Sequence, residues 1–248
     1  MVPAIVFLAV PDGAVAAVAA QLAAAGPRMP RSVAFVHLSG ALQLTALGPL
    51  SSRYAVGSFH PLQSFPEPRS PAAFHGIFVA FDASTEALGR RLAALARALG
   101  ARPKHVDDSR RVLYHAAAVF ASNYTDALLD VAVGLLEAVG WSQEEAVDGL
   151  GALADGALTN VRKRGPVAAL TGPIRRGDAG TVERHIAALS AIEAAGRQGR
   201  PHLVDLYRML GAVALEIAKE AGLDPAAAEP VARALTRKVA ATRRRRRA

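Results

Sequence analysis

The stretch VPAIVFLAVPD, Val2 to Asp12, constrains the fold of this chain more than any other. Ile5 to Pro11 are apolar without alternation, and Asp12 ends the run. A short continuous apolar run closed by a polar turn reads as a parallel strand covered on both faces. Strands of that kind sit inside α/β sheets, so the chain is expected to open on what is normally an interior element.

Four further strands are predicted, at Val33–Leu38, Ala55–Phe59, Ile77–Phe81 and Pro103–Val106, after a first at Ala4–Val10. Between them Gly13–Ala25, Ala41–Leu50 and Thr85–Leu99 read as helices or helical turns. Such alternation indicates a parallel sheet with crossover helices. Phe59 to Ala73, with four prolines, reads as a loop. Beyond Asp107 no strand pattern remains. Asp108 or Ser109 is suited to cap a helix that runs unbroken to Gly140. Leu113, Ala117, Phe120, Tyr124, Leu128, Val131 and Leu135 form one apolar stripe along it. More helices are expected at Ser142–Arg164, Ala179–Ala194, His202–Ala221 and Pro225–Ala241. The fold class is therefore α/β plus all-α: an α/β domain at 1–106, a helical domain at 107–241 and a basic, disordered tail at 242–248.

The net charge of +8 is confined to one end. From Val231 to Ala248 there are eight positive charges and no acid, so the remaining residues are neutral overall. An arginine run can touch nucleic acid or an acidic partner, or can be a solvated chain end. There is no cysteine, which removes disulfides and thiolate chemistry. Neither a signal peptide nor a membrane span is expected, and the default setting is cytoplasmic. G-x-G-x-x-G, G-x-x-x-x-G-K-[ST] and H-E-x-x-H are absent from the sequence, and no metal site is expected.

Three places can carry chemistry. In open parallel sheets, ligands bind beyond the carboxyl ends of the strands. Those ends deliver Val10, Pro11 and Asp12, then His37, Ser39 and Gly40, then His60 and Gln63. The alternative reading is that Ser39 caps a helix and His60-Pro61 makes a turn. The second place is YHAAAVFASNY, Tyr114 to Tyr124, where His115, Ser122, Asn123 and Asp126 share one lane opposite the apolar stripe. The lane holds no charge between Arg111 and Asp126, which suits a face turned to a ligand or to another domain. His115 can transfer protons, and Ser122 and Asn123 can hold a carbonyl or hydroxyl. Simple helix packing is the rival. The third is ALTGPIRRGD, where Arg175 and Arg176 suit an anionic group and Asp178 suits a helix cap or an arginine partner.

The motifs VFLAVPD, VHLSGAL, GSFHPLQSF, LYHAAAVFASNY and NVRKRGPVAALTGPIRRGDAGTVERHIAAL, in that order, resemble the Rossmann-like proteins that carry domain-of-unknown-function family 2520. That family is similar to the β-hydroxyacid dehydrogenases and ketopantoate reductases. The resemblance implies a Rossmann-like NAD(P)-binding sheet followed by a helical, 6-phosphogluconate-dehydrogenase-like domain that builds a homodimer. It implies that Val10, Pro11 and Asp12 line the nicotinamide side of a cofactor cleft, with His37, Ser39 and Gly40 at the next strand end. His60 resembles the His-Pro turn of prephenate dehydrogenases, and Asn123 resembles the helix asparagine of ketopantoate reductase relatives. Thr171, Arg175, Arg176 and Asp178 would approach the substrate together with His60 and Gln63. Set against the family layout, the Rossmann-like sheet is partial, N-terminally truncated: its leading strand, glycine-rich turn and helix have no counterpart here. The expectation is an NAD(P)-dependent oxidoreductase-like protein acting on a small hydroxy- or imino-type molecule at an interdomain cleft. His115, Ser122 and Asn123 would be its catalytic residues, NADP or NAD its relatives' cofactor, and its own cofactor binding impaired. The other expectation is a non-enzymatic dimerisation module or degenerate remnant whose basic tail docks on acidic partners.

Overall fold

The structure, a computed structural model, describes residues 4–25, 29–195 and 202–237. The chain divides into two compact units, 1–126 and 127–248. The first unit begins with β1 (Ile5–Leu8), α1 (Asp12–Ala24) and β2 (Ala34–His37). A 3-10 turn at Leu44–Leu47 leads into α2 (Gly48–Ser51), followed by β3 (Ala55–Pro61) and a 3-10 turn at Pro71–Phe74. Then come β4 (Phe78–Ala83), α3 (Glu86–Ala98), β5 (Arg102–His105) and α4 (Arg111–Ala121). The strands lie in the order β1-β2-β3-β4-β5.

All five predicted strands are present, but the sheet is not wholly parallel. β4 runs antiparallel to β3, whereas β1, β2 and β3 are mutually parallel and β5 is parallel to β4. A parallel neighbour needs a long crossover, and the proline-rich stretch between β3 and β4 contains only a 3-10 turn.

Side-chain alternation builds a layer on each face of the sheet. Phe35 and Val56 point to the side packed by Val15 and Ala19 of α1 and by Leu47 and Leu50. Ala34, Val36, Phe59 and Val79 point to the side packed by Leu88, Leu92 and Ala96 of α3. Burying Leu88 and Leu92 contributes about 1.5–3 kcal/mol each. Thr85 fixes the start of α3 by accepting from the Leu88 amide at 3.3 Å. β2 is buried on both faces, as a central strand should be. β1 is not, contrary to the sequence expectation: Phe7 is exposed and meets Phe59 edge-on at 5.9 Å.

The helix expected to run unbroken to Gly140 is two helices, α4 and α5 (Asn123–Glu137). The break is at Ser122, with φ −120° and ψ −79°. Thr125 Oγ1 donates to the Ala121 carbonyl one turn back, a contact that bends helices. The expected cap also shifts: Asp107 accepts from the Ser109 amide, while Asp108 accepts from the Leu44 amide. One helical stretch among the described residues, Asp108–Glu137, is long and apolar enough to cross a membrane by length and composition, with 6% of its most apolar window buried. The bend and the polar lane through His115, Ser122 and Asn123 argue against a lipid setting for it.

The second unit is helical. It contains most of α5, then α6 (Gln143–Ala169), α7 (Ala179–Ala194), α8 (Leu203–Glu220) and α9 (Pro225–Thr236). Ser142 and Glu145 form a reciprocal capping box at the start of α6. That helix continues past the expected end at Arg164, across a kink where Gly165 takes φ 77° ahead of Pro166. Val182, Ile186, Leu215, Val231 and Leu235 are central to its core, with Val131 and Leu135 of α5 packed against them. The predicted basic tail lies outside the described residues.

Candidate functional site

Three parallel strands end side by side, and the turns at their ends are tied together. At the end of β1, Asp12 opens α1; Ser39, two residues past β2, donates its hydroxyl to Asp12 Oδ2 at 2.6 Å. The same Ser39 oxygen accepts the amides of Ala41 and Leu42, which holds the turn after β2. Asp108, just ahead of α4, accepts from the Leu44 amide at 2.8 Å and anchors that turn to the later chain.

Arg111 opens α4, and its side chain is 0% exposed. Its Nη1 donates to Ser58 Oγ on β3 at 2.6 Å, and its Nη2 donates to the Ser39 carbonyl at 2.8 Å. Ser58 Oγ also accepts the Asp82 amide from β4 at 3.1 Å. Burial lowers the guanidinium's proton affinity, with Asp108, Tyr114 and Asp82 opposing. None of the ion pairs found among the described residues involves it.

Three and four residues further on, the same face of α4 presents Tyr114 and His115. The Tyr114 hydroxyl lies 2.8 Å from His60 Nδ1, and the two rings stand perpendicular. The His115 and His60 rings meet edge to face at 6.0 Å. Gly40 lies beneath both: a Cβ there would fall 2.6 Å from His115 Nδ1 and 2.8 Å from His60 Nε2, so no side chain fits. These groups open into a pocket of about 500 Å³, lined by His60, Gln63, Tyr114, His115, Ser122 and Asn123 with small apolar residues of α4 between them. No Lys, Arg, Asp or Glu lines it.

The electrostatics keep the His60–Tyr114 pair neutral. His60 is lowered to about 4, by burial first and then by His115 and Arg111, against Asp12. Burial raises Tyr114 above its ordinary value, with Arg111 opposing. Near pH 7 the pair is therefore a neutral imidazole and a phenol. Either imidazole tautomer sustains the bond: the phenol donates to Nδ1, or Nδ1–H donates to the phenol oxygen.

Of the residues singled out from sequence, His60, Gln63, His115, Ser122 and Asn123 line this pocket, with Gly40 under its floor. His37 requires correction as a cofactor contact. It is wholly buried, and neither ring nitrogen makes a well-formed hydrogen bond. Burial and Arg111 lower it to about 4, so it is a neutral core group. Val10, Pro11 and Asp12 are exposed at the β1 end and do not line the pocket. Ser39 holds the turn after β2, and Thr171, Arg175, Arg176 and Asp178 are in the second unit. Asp178 caps α7, accepting from the Thr181 amide at 2.9 Å and from its hydroxyl at 2.6 Å. Arg175 donates to the Ala221 carbonyl at the end of α8 at 3.0 Å. Thr171, Arg175 and Arg176 line a shallow depression beside Asp224 and Ala227. Sequence reasoning missed Arg111, Tyr114 and Ser58 as site residues. The helical spacing from Arg111 to His115 was a usable signal for the first.

A diphosphate needs glycine-bounded amides at a helix start. At the β1 end that position carries the Asp12 carboxylate, which repels a phosphate. At the β2 end, the room that Gly40 leaves is filled by His115 and His60.

Comparison with known proteins adds the relatives. The family model for the domain of unknown function (DUF2520) matches residues 77–214. No curated protein matches the chain. Among solved structures it is similar to a candidate NADP oxidoreductase of Bacteroides fragilis, at 25% identity and a TM-score of 0.67, over 87% of this chain and 77% of that one. It is similar to a Thermotoga maritima protein at 26% identity and a TM-score of 0.70, over 88% and 79% of the two chains. An Aspergillus terreus reductive aminase, in complex with NADPH and ethyl levulinate, shares the fold at 20% identity and a TM-score of 0.52, over 92% and 78%.

Proposed function

The chain belongs to the DUF2520 family, with a Rossmann-like sheet and a helical domain, and on that premise we propose that it is an oxidoreductase-type protein with a pocket for a small, uncharged hydroxy, carbonyl or imino compound. The Bacteroides fragilis relative supports the reaction type. The observation that carries the reading is the 2.8 Å contact between Tyr114 and His60 inside a pocket that no Lys, Arg, Asp or Glu lines. A phenol held protonated by burial donates a hydrogen bond to a carbonyl or imine, and the neutral imidazole behind it, donating Nδ1–H to the phenol oxygen, orients that donor. His115 forms the adjoining wall, while Ser122 and Asn123 supply orienting hydrogen bonds. An uncharged lining favours an uncharged ligand, because a buried carboxylate here meets no cation to replace its water.

The same reading holds that these 248 residues take a nicotinamide dinucleotide weakly, since Asp12 and the filled floor at Gly40 oppose its diphosphate. Titration calorimetry with NADPH tests this. Heats too small to fit a micromolar site are expected; a micromolar dissociation constant would refute it.

A second reading, self-association as a homodimer, is favoured by one observation. Val112, Leu113 and Phe120 of α4 are exposed, Leu113 at 76% and Phe120 at 69%. An apolar row of that kind marks an interaction surface. Sedimentation velocity is expected to give twice the monomer mass for the native chain, and the monomer for Leu113→Glu/Phe120→Glu. A native chain that sediments as a monomer at micromolar concentration excludes the reading.

A further inference from the structure

We propose that Arg111 is the positioning residue of the pocket, a strut that holds Gly40 and the Tyr114–His115 face of α4 in register with His60. The proposal rests on the reading of this pocket as a ligand site, and deepens it. Arg111 touches no ligand, because its side chain is fully buried.

The geometry is that of a hub. One terminal nitrogen holds Ser58 of β3, whose oxygen in turn accepts from Asp82 of β4. The other holds the carbonyl of Ser39, whose hydroxyl is bonded to Asp12 at the β1 end. One side chain from α4 thus links β3, and through it β4, to the turn after β2, and through that turn to Asp12 beyond β1. The bonded Ser39 carbonyl belongs to the peptide that leads into Gly40, the residue against which His115 and His60 rest. From the helix side, Arg111 lies one turn ahead of His115. It therefore fixes both walls of the pocket at once, the turn after β2 and the face of α4.

The arrangement is a poor one for stability alone. A buried cation forfeits its hydration, no carboxylate forms an ion pair with it among the described residues, and its Nε is buried without a partner. An apolar side chain of similar volume would fill the space without that penalty. What the apolar side chain would lose is the bidentate, directional hold on two strand ends. Arg111 also sets the electrostatics. The groups facing His60 are Arg111, Tyr114 and His115 from α4, Asp12 at the start of α1 and His37 on β2. Of these, Arg111 is a permanent cation, and it opposes protonation of His60.

The test uses the full chain with 13C-labelled histidine, pH titration by NMR, and His60→Gln and His115→Gln to assign the signals. In the native chain His60 is expected to titrate near 4. In Arg111→Met its proton affinity should rise and the His115 signal should broaden or move; Arg111→Lys should restore the native titration. A folded Arg111→Met that titrates like the native chain would overturn the proposal. If Arg111→Met does not fold, the native chain still decides. One arginine should give separate, slowly exchanging Nη hydrogens in 15N spectra, absent from Arg111→Lys, and failure to find them refutes the strut. Neither readout needs ligand or cofactor, so a failure of the oxidoreductase reading leaves this test intact.

Discussion

The phenol oxygen of Tyr114 lies 2.8 Å from Nδ1 of His60, which joins the first turns of α4 to the end of β3. Removing that oxygen leaves a half-buried imidazole nitrogen without its partner. Tyr114→Phe should lower stability by about 0.5–1.5 kcal/mol, measured by urea unfolding. The same variant should lose affinity for neutral hydroxy ketones by more than its change in stability accounts for. Equal affinity in the variant and the native chain would separate the pair from ligand binding.

Gly40 tests how tightly the two histidines are seated. A methyl group at this position has no room beside His115 Nδ1 and His60 Nε2. Gly40→Ala should therefore cost about 1–3 kcal/mol by overpacking and shift both histidine signals. A variant as stable as the native chain, with unmoved signals, would mean the floor is looser than described.

Acid should weaken the first unit in a defined window. His37 and His60 are held near 4 in the folded chain, against 6.5 for an ordinary histidine. Between those values the unfolded chain binds more protons, so stability rises with pH across the window. It is fully present above about 6.5 and falls as pH drops towards 4. Thermal midpoints measured from about pH 7.5 to 4 should decline through this range, and His37→Gln should flatten the slope. A level profile would contradict the burial of both rings.

Asp178 separates a cap from a substrate contact. Its carboxylate holds the Thr181 amide and hydroxyl, which also keep it below the usual carboxylate range. Asp178→Ala should lower stability in unfolding while leaving ligand affinity of the first-unit pocket unchanged. Lost affinity with unchanged stability would restore the substrate role.

Much of the fold was legible because strands and helices write themselves locally. Four apolar runs and their alternation with helices placed β1 to β4, the weaker pattern near Pro103–Val106 placed β5, and Ala179–Ala194 was bounded to the residue. The features that escaped depend on partners distant in sequence. Nothing around Ile77 records that β4 pairs antiparallel, since strand direction follows from the connection rather than from composition. The bend at Ser122 is accompanied by a side-chain-to-carbonyl bond that Thr125 makes only in the folded helix. In the site, the uncharged lane of α4 drew attention to His115, Ser122 and Asn123, which line one pocket, because an exposed helix face rarely lacks charge. His37 misled for the converse reason. A histidine at a strand end resembles a ligand contact whether it faces out or, as here, is sealed in the core. Arg111 was hidden by its charge, since arginines at helix starts are usually solvated.

The most direct test of the account is a competition between two small probes of nearly equal size, acetoin and lactate, followed by 13C-histidine NMR on the native chain. An uncharged pocket bounded by His60 and His115 predicts that millimolar acetoin moves both signals, that lactate moves them much less, and that Tyr114→Phe weakens the response. If lactate binds better than acetoin, or neither probe disturbs the two histidines, the pocket is not the uncharged ligand site described.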